Sequence, residues 1–145
     1  MKRREIRPEI LDQLYQISKM GMEASEIVLP KVRDQGLREE IEKQSKAYAD
    51  AMQRSQAMLR EMRQLPGELR PAAKRALRSA FRLGSNIQRD TGHFAGMMIA
   101  GATAGVSTLA KALDDFPDES PKIRWLAERY INSEERNIDS MRRFL

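Results

Sequence analysis

Few side chains in this sequence are suited to catalysis or metal binding. The chain has one His and no Cys, which excludes a disulfide framework, a zinc–thiolate site and a thiol nucleophile. Asp90 precedes His93 by three residues, and Glu134 precedes Asn137 by the same interval. Residues three apart lie on one face of a helix. Each pair therefore has the spacing of the ligand pair that one helix contributes to a dinuclear carboxylate metal site.

A complete dinuclear site needs two Glu-x-x-His pairs and two further Glu ligands. The single His supplies at most one such pair, and the second pair is at best Glu-x-x-Asn. The glutamates of the first two predicted helices lie off the apolar seams, so we expect them to be solvated: Glu23, Glu26, Glu39, Glu40 and Glu42. We predict no metal site, no cofactor and no catalytic residue.

Glu134 is the one glutamate on a predicted seam. It fits either a metal ligand or a buried carboxylate partnered by a neighbouring Arg or by Gln44, and the second case is the commoner one. Whether Asp90, His93 or Glu134 binds a metal stays open from the residues alone. The sequence also has no phosphate-binding loop with its Lys and no Gly-x-Ser-x-Gly motif. We therefore predict that the protein is not an enzyme.

The elements that would position these side chains are helices. Apolar or small residues recur at alternating steps of four and three, the seam of a helix packed in a bundle. Pro8, Pro71 and Pro121 suit first helical positions, because a proline lacks the N–H that would be unpaired there. The pattern predicts an all-α fold, an antiparallel four-helix bundle with a short extra basic helix between helices two and three. The predicted single domain spans residues 1–145, with helices at about 8–34, 37–64, 71–83 plus 86–114, and 121–144.

The composition fits this class. Of 145 residues, 41% are hydrophobic and 32% are charged, which is typical of a soluble helical protein and argues against disorder. The basic N-terminus has no apolar segment behind it, so we expect no signal peptide and a cytoplasmic protein.

The stretch from Ala95 to Ala110 contains no charged residue. A surface helix of a monomeric bundle should present a charged face, so one of its two small-residue seams is available for another chain. The predicted self-association face contains Gly101, Ala102, Gly105 and Val106, and the predicted state is a homodimer. The alternative is a central helix covered by its own chain, with the basic helix Pro71–Leu83 as the cover. We expect no transmembrane segment, because this stretch is short for a span and diluted by Gly, Ser and Thr.

The positive charge is concentrated in one region. Between Arg60 and Arg89 there are eight basic residues and two acidic ones. The possible polyanion contacts form a stripe at helical spacing: Lys74, Arg75, Arg78 and Arg82. Such a stripe binds nucleic-acid phosphates, an anionic membrane surface or an acidic protein, or it is a solvated face paired with acids of another helix.

The segment His93–Gly105, the sequence Lys111-Ala112-Leu113 and the segment Ile27–Val32 are similar to a group of small uncharacterised bacterial proteins. That group has a ferritin-like helical-bundle fold, and the likeness covers about residues 8–145. A Glu often follows the His by three residues in the group, and a polar residue precedes the first Gly of its G-x-x-x-G. Gly96 and Ala100 occupy these positions here. The resemblance implies the fold and no defined activity.

These observations favour a non-enzymatic, self-associating interaction or scaffold protein. Two alternatives belong to other classes. One is a ferritin-like metal-binding protein, and the other is a binder of nucleic acid or an anionic membrane surface through the basic helix.

Overall fold

The structure is a computed structural model that describes residues 7–68 and 90–145, with Pro71 and Arg75 described singly between them. Within these ranges the chain is helical and contains no β-strand, which confirms the all-α class. Four α-helices lie within the two described ranges: α1 (Glu9–Val28), α2 (Gln35–Glu61), α3 (Thr91–Asp115) and α4 (Pro121–Arg142). Of the predicted basic stripe, Lys74, Arg78 and Arg82 lie outside the described residues, and Arg75 is exposed.

The helix ends follow local chemistry. Pro30 cannot donate an α-helical hydrogen bond, so α1 ends at Val28 and a single 3-10 turn, Leu29–Lys31, follows it. The predicted helix to residue 34 is therefore too long. Asp34 is the N-cap of α2, and its side chain accepts a hydrogen bond from the Leu37 N–H at 2.8 Å. Ser120 begins α4 in the same way, with Pro121 at the first helical position, as predicted.

The C-terminal end of α2 is a Schellman motif. Arg63 adopts a left-handed conformation with φ of 55°. The Gln64 N–H then donates to the Leu59 carbonyl, and the Arg63 N–H donates to the Arg60 carbonyl, both at 2.9 Å. The helix ends at Glu61, earlier than the predicted residue 64, because these bonds satisfy its last carbonyls. Helix α3 begins at Thr91, where Asp90 accepts from the His93 N–H, and residues 86–89 of the predicted helix lie outside the described residues.

The core forms where the predicted seams meet. Helix α1 packs most extensively on α2, α3 packs most extensively on α4, and α1 also contacts α3. Apolar residues of all four helices form one buried cluster, with Leu14, Ile41, Leu109 and Ala127 among its fully buried members.

At one end of the helices, Gly36 lies against the Phe144 ring and Gly92 lies beside the backbone of Leu145. At the other end, Gly67 lies against Asp12.

The small residues of α3 face the interior of the chain. Gly101, Ala102 and Gly105 are buried and Val106 is half-buried. A Cβ built on Gly105 would come within 2.9 Å of the Ile17 Cγ2 atom of α1. This placement revises the expectation that these residues form a free self-association face, because α1 already occupies the space beside Gly105. The small side chains allow α3 to pack closely against α1.

Helix α3 is also the one helix in the described ranges that is long and apolar enough to cross a membrane by composition. It has 25 residues, and an 18-residue window of it has a mean hydropathy of 1.2. The helix is longer than the Ala95–Ala110 stretch from which we expect no transmembrane segment, and that expectation stays a prediction. Because the core helix of a soluble protein meets the same criterion, the pattern alone does not assign a span.

Candidate functional site

The first candidate site is a buried carboxylate between α2 and α4. Glu134 is only 2% exposed. Its Oε2 accepts a hydrogen bond from the Tyr48 hydroxyl at 3.0 Å, and its Oε1 accepts one from Asn137 Nδ2 at 2.7 Å. Burial of Glu134 on its seam agrees with the sequence prediction, but its partners are Tyr48 and Asn137 rather than Arg or Gln44. We refer to Tyr48, Tyr130, Glu134 and Asn137 as the Glu134 cluster.

Burial controls the ionisation of this cluster. It raises the pKa of Glu134 from 4.5 to about 6, and the hydrogen bonds from Asn137 and Tyr48 oppose the rise by stabilising the carboxylate. Burial and the neighbouring Glu134 charge together raise the pKa of Tyr48 well above 10. The same two causes, with Tyr48 as a third, raise the pKa of Tyr130. Tyr48 therefore acts as a hydrogen-bond donor at neutral pH.

A small cavity adjoins the Glu134 cluster and is surrounded by all four helices. Its volume is about 20 Å³, enough for one water molecule and no organic substrate. The lining consists of Ile17, Gly21, Ala24, Tyr48, Met98, Gly101, Ala102, Tyr130 and Glu134. Gly21 packs closely here, since a Cβ at this position would lie 3.0 Å from the Tyr48 ring.

A second polar contact lies nearer the start of α2, with Gln44 about one turn and Glu40 about two turns before Tyr48. Glu40 is buried, its Oε1 accepts from Gln44 Nε2 at 3.1 Å, and its Oε2 lies 3.8 Å from Arg143 Nη2. The prediction that Glu40 is solvated is therefore wrong. The C-terminal end of α4 lies beside the start of α2 and contributes Arg143, which a pattern confined to α2 does not reveal. Glu23, Glu26, Glu39 and Glu42 are exposed, as predicted.

The three residues considered as metal ligands each have a different structural role. The Asp90 side chain begins α3, the His93 ring packs edge-on against Phe94, and Glu134 accepts hydrogen bonds in the interior. Among the described residues, no group of three or more His, Asp or Glu side chains has the arrangement of a metal site.

The second candidate site is a larger cleft between the end of α2 and the loop that joins α3 to α4. Its volume is about 630 Å³, within the range of ligand and peptide sites. We call it the apolar cleft after the apolar part of its lining, which is Pro8, Met58, Met62, Phe116, Pro117 and Ile123. Its acidic residues are Glu61, Asp115, Asp118 and Glu119, and its basic residues are Arg7 and Lys122.

Polar contacts of Arg7 and Asp12 lie beside the apolar cleft. Asp12 pairs with the Arg7 guanidinium at 2.9 Å and accepts from the Gly67 N–H at the same distance. Arg7 also donates to the Gln64 side chain and to the Leu65 carbonyl. These bonds connect the start of α1 to the segment that follows α2.

Glu119 connects the α3–α4 loop to the same end of α1. Its Oε1 accepts from the Ile10 N–H at 2.8 Å. Burial raises the pKa of Glu119, and the main-chain N–H groups of Ile10 and Leu11 oppose that rise. A carboxylate at a helix N-terminus is favoured by the helix dipole, so this bond anchors the loop.

Sequence reasoning missed the apolar cleft. Arg7, Asp12 and Glu119 were not singled out, since Glu119 is 109 residues from its partner Ile10. The one local signal was the Arg7–Asp12 pair across the start of α1, five residues apart.

Comparisons with protein-family models, with curated proteins and with solved structures find no match for this chain.

Proposed function

We propose that this chain is a non-enzymatic, self-associating interaction protein. The observation that carries the proposal is the apolar cleft, which leaves a Met- and Phe-lined surface open at one end of the helices. Thioether and aromatic side chains adapt well to a partner surface. Exposed apolar surface costs about 25 cal/mol for each Å², so covering this cleft favours association.

The Glu134 cluster supports the non-enzymatic part of the proposal. Its cavity has room for one water molecule, and both carboxylate oxygens are engaged by Tyr48 and Asn137. A general acid or base must reach a substrate proton directly or through one water. The interior position of Glu134 leaves no room for a substrate at that distance.

The proposed bundle topology is antiparallel and ferritin-like. Gln64 and Leu65 after α2 contact Arg7 at the start of α1, so α1 and α2 run in opposite directions. Gly92 at the start of α3 lies beside Leu145 after α4, so that pair is also antiparallel. The start of α1 lies beside Glu119, just before α4. Helices α1 and α4 therefore run one way and α2 and α3 the other, which requires one long crossover between α2 and α3, as in ferritin-like folds.

Sedimentation equilibrium at micromolar concentrations tests the proposed self-association. We expect a mass near twice the 16.7 kDa of one chain, since symmetric dimers are the commonest soluble oligomers. A mass of one chain at every concentration would refute self-association. The Lys43→Glu variant is the control, because Lys43 is exposed on α2 and lies away from the apolar cleft.

A further inference from the structure

We propose that the groove between α2 and α4 binds single-stranded nucleic acid, a function separate from the proposed self-association. This groove has a volume of about 160 Å³, and its lining includes Trp125, the only tryptophan of the chain. Helices α2 and α4 pack against each other less extensively than α1 and α2 or α3 and α4 do. The small side chains of Ala47 and Ala51 line the groove on the α2 side, so they leave space between the two helices.

Trp125 provides an aromatic surface that solvent can reach. It is 53% exposed, and the guanidinium carbon of Arg129 lies 4.7 Å from the centroid of its ring system. Nucleic-acid bases stack on aromatic rings and on arginine planes, whatever the identity of the base. The groove is smaller than the about 300 Å³ at which pockets for whole small molecules begin. Its size therefore favours one planar ring of a chain that continues beyond the groove.

Basic residues follow both sides of the groove. Residues at alternating steps of three and four lie on one face of a helix, which defines one row on each helix. The α2 row is Lys43, Ala47, Asp50 and Arg54, and the α4 row is Trp125, Arg129, Ser133 and Arg136. All of these except Lys43 and Arg136 line the groove. The two rows carry four bases and one acid, which gives the groove a net positive charge.

Lys43 and Arg136 extend the groove at the same end. Glu40 near the start of α2 lies beside Arg143 after α4, so the early part of α2 is next to the late part of α4. Both Lys43 and Arg136 are exposed. Along α4, Trp125 and Arg136 are about 16 Å apart at 1.5 Å per residue. The bases are thus spread along a line, as the phosphates of a nucleic-acid strand are.

The ion pair within the groove does not prevent phosphate binding. Asp50 pairs with Arg54 at 2.8 Å, and both side chains are 61% exposed. An exposed pair of this kind contributes little free energy, so Arg54 can exchange the carboxylate for a phosphate. A duplex is a poorer ligand than a single strand, because the faces of its bases are stacked on each other and do not reach Trp125.

The fluorescence of Trp125 tests the proposal directly, because no other tryptophan contributes to the signal. The probe is an oligothymidylate single strand. We expect it to quench the fluorescence, and we expect much weaker quenching by the same strand paired with oligoadenylate. The logarithm of the binding constant should fall with the logarithm of the salt concentration with a slope of about −3, the value for four bases that release counterions from a single strand.

Variants of the exposed groove residues identify the contacts, with the anisotropy of a labelled oligothymidylate as the measurement. Trp125→Ala should weaken binding roughly tenfold through the loss of stacking, whereas Trp125→Phe keeps a ring and should retain most of the affinity. Arg129→Glu/Arg136→Glu should weaken binding by a further factor and flatten the salt dependence. The matched control is Lys31→Glu/Arg33→Glu, which makes the same change of net charge at exposed residues outside the groove and should retain most of the affinity.

Several results would overturn the proposal. Wild-type protein that does not bind the strand at low salt refutes it. Binding that survives both Trp125→Ala and the Arg129/Arg136 reversal would assign the nucleic acid to another part of the chain. Equal affinity for the duplex would refute the single-strand specificity, and quenching by phosphatidylserine vesicles but not by the strand would assign the groove to an anionic membrane surface. Sedimentation equilibrium of the wild type decides the proposed self-association independently of all these results.

Discussion

At the scale of single residues, the buried Glu134 makes the free energy of unfolding depend on pH. Its pKa is about 6 in the folded protein against 4.5 ordinarily, so the folded state binds this proton more tightly than the unfolded state does. The stabilisation is complete below pH 4.5 and is lost as the pH rises through 6. The loss amounts to about 2 kcal/mol at neutral pH.

The Glu134→Gln variant should remove this dependence. Tyr48 and Tyr130 face Glu134 and stay protonated throughout this range, and Asn137 is neutral. Urea unfolding between pH 4.5 and 7.5 should show a smaller decline in the free energy of unfolding for the variant than for the wild type. Glu135→Gln is the matched control, because Glu135 is exposed. Equal declines in both variants would contradict the assignment to Glu134.

Gly105 and Gly96 provide a second test at this scale. A Cβ at Gly105 would lie 2.9 Å from Ile17 Cγ2, whereas the nearest atom to a Cβ at Gly96 is Leu145 Cδ2 at 3.8 Å. Gly105→Ala should destabilise by about 1–3 kcal/mol through overpacking. Gly96→Ala should be neutral or stabilising by up to about 1 kcal/mol, because Ala favours a helix. Chemical denaturation distinguishes them, and equal tolerance of both changes would show that α1 and α3 do not meet at Gly105.

At the scale of elements, Asp12 holds the start of α1 to the segment after α2. Its carboxylate accepts from Arg7 and from the Gly67 N–H, and its side chain is only 3% exposed. Asp12→Ala leaves both donors without this acceptor, so we expect a loss of about 2 kcal/mol of unfolding free energy.

Asp50→Ala is the control for this prediction. It removes an ion pair to Arg54 in which both side chains are 61% exposed, and exposed pairs of this kind contribute at most about 0.5 kcal/mol. Urea denaturation of the two variants measures the difference. Similar small losses would mean that the Asp12 contacts do not stabilise this end of the helices.

At the scale of the whole molecule, the metal content of the purified protein distinguishes the proposed interaction protein from the ferritin-like metal-binding alternative. The described residues provide no cluster of three acidic or His ligands, and Glu134 is already bound by Tyr48 and Asn137. We expect substoichiometric iron, manganese and zinc in purified protein by elemental analysis. A stoichiometric metal that is lost in Glu134→Ala, but kept in Glu135→Ala, would favour the alternative.

Features that depend on one helix at a time were predictable. The four-three spacing placed Leu14, Ile41 and Glu134 on buried seams, and the structure buries all three. The start of α4 at Ser120-Pro121 was also predictable, because capping involves residues close in sequence. Periodicity reports the faces of a helix, since burying an apolar stripe lowers the free energy whichever element covers it.

Features that depend on which helices are neighbours were decided by the tertiary structure. The small face of α3 resembled a surface for another chain in sequence, but Ile17 of α1 lies against Gly105. Glu40 is buried, and its charged neighbour is Arg143 at the distant end of α4, 3.8 Å away. The apolar cleft likewise exists because Arg7, Asp12 and Glu119 bring three separate segments together. The energy of such contacts depends on distances between residues far apart in the chain, and a pattern within one segment does not contain those distances.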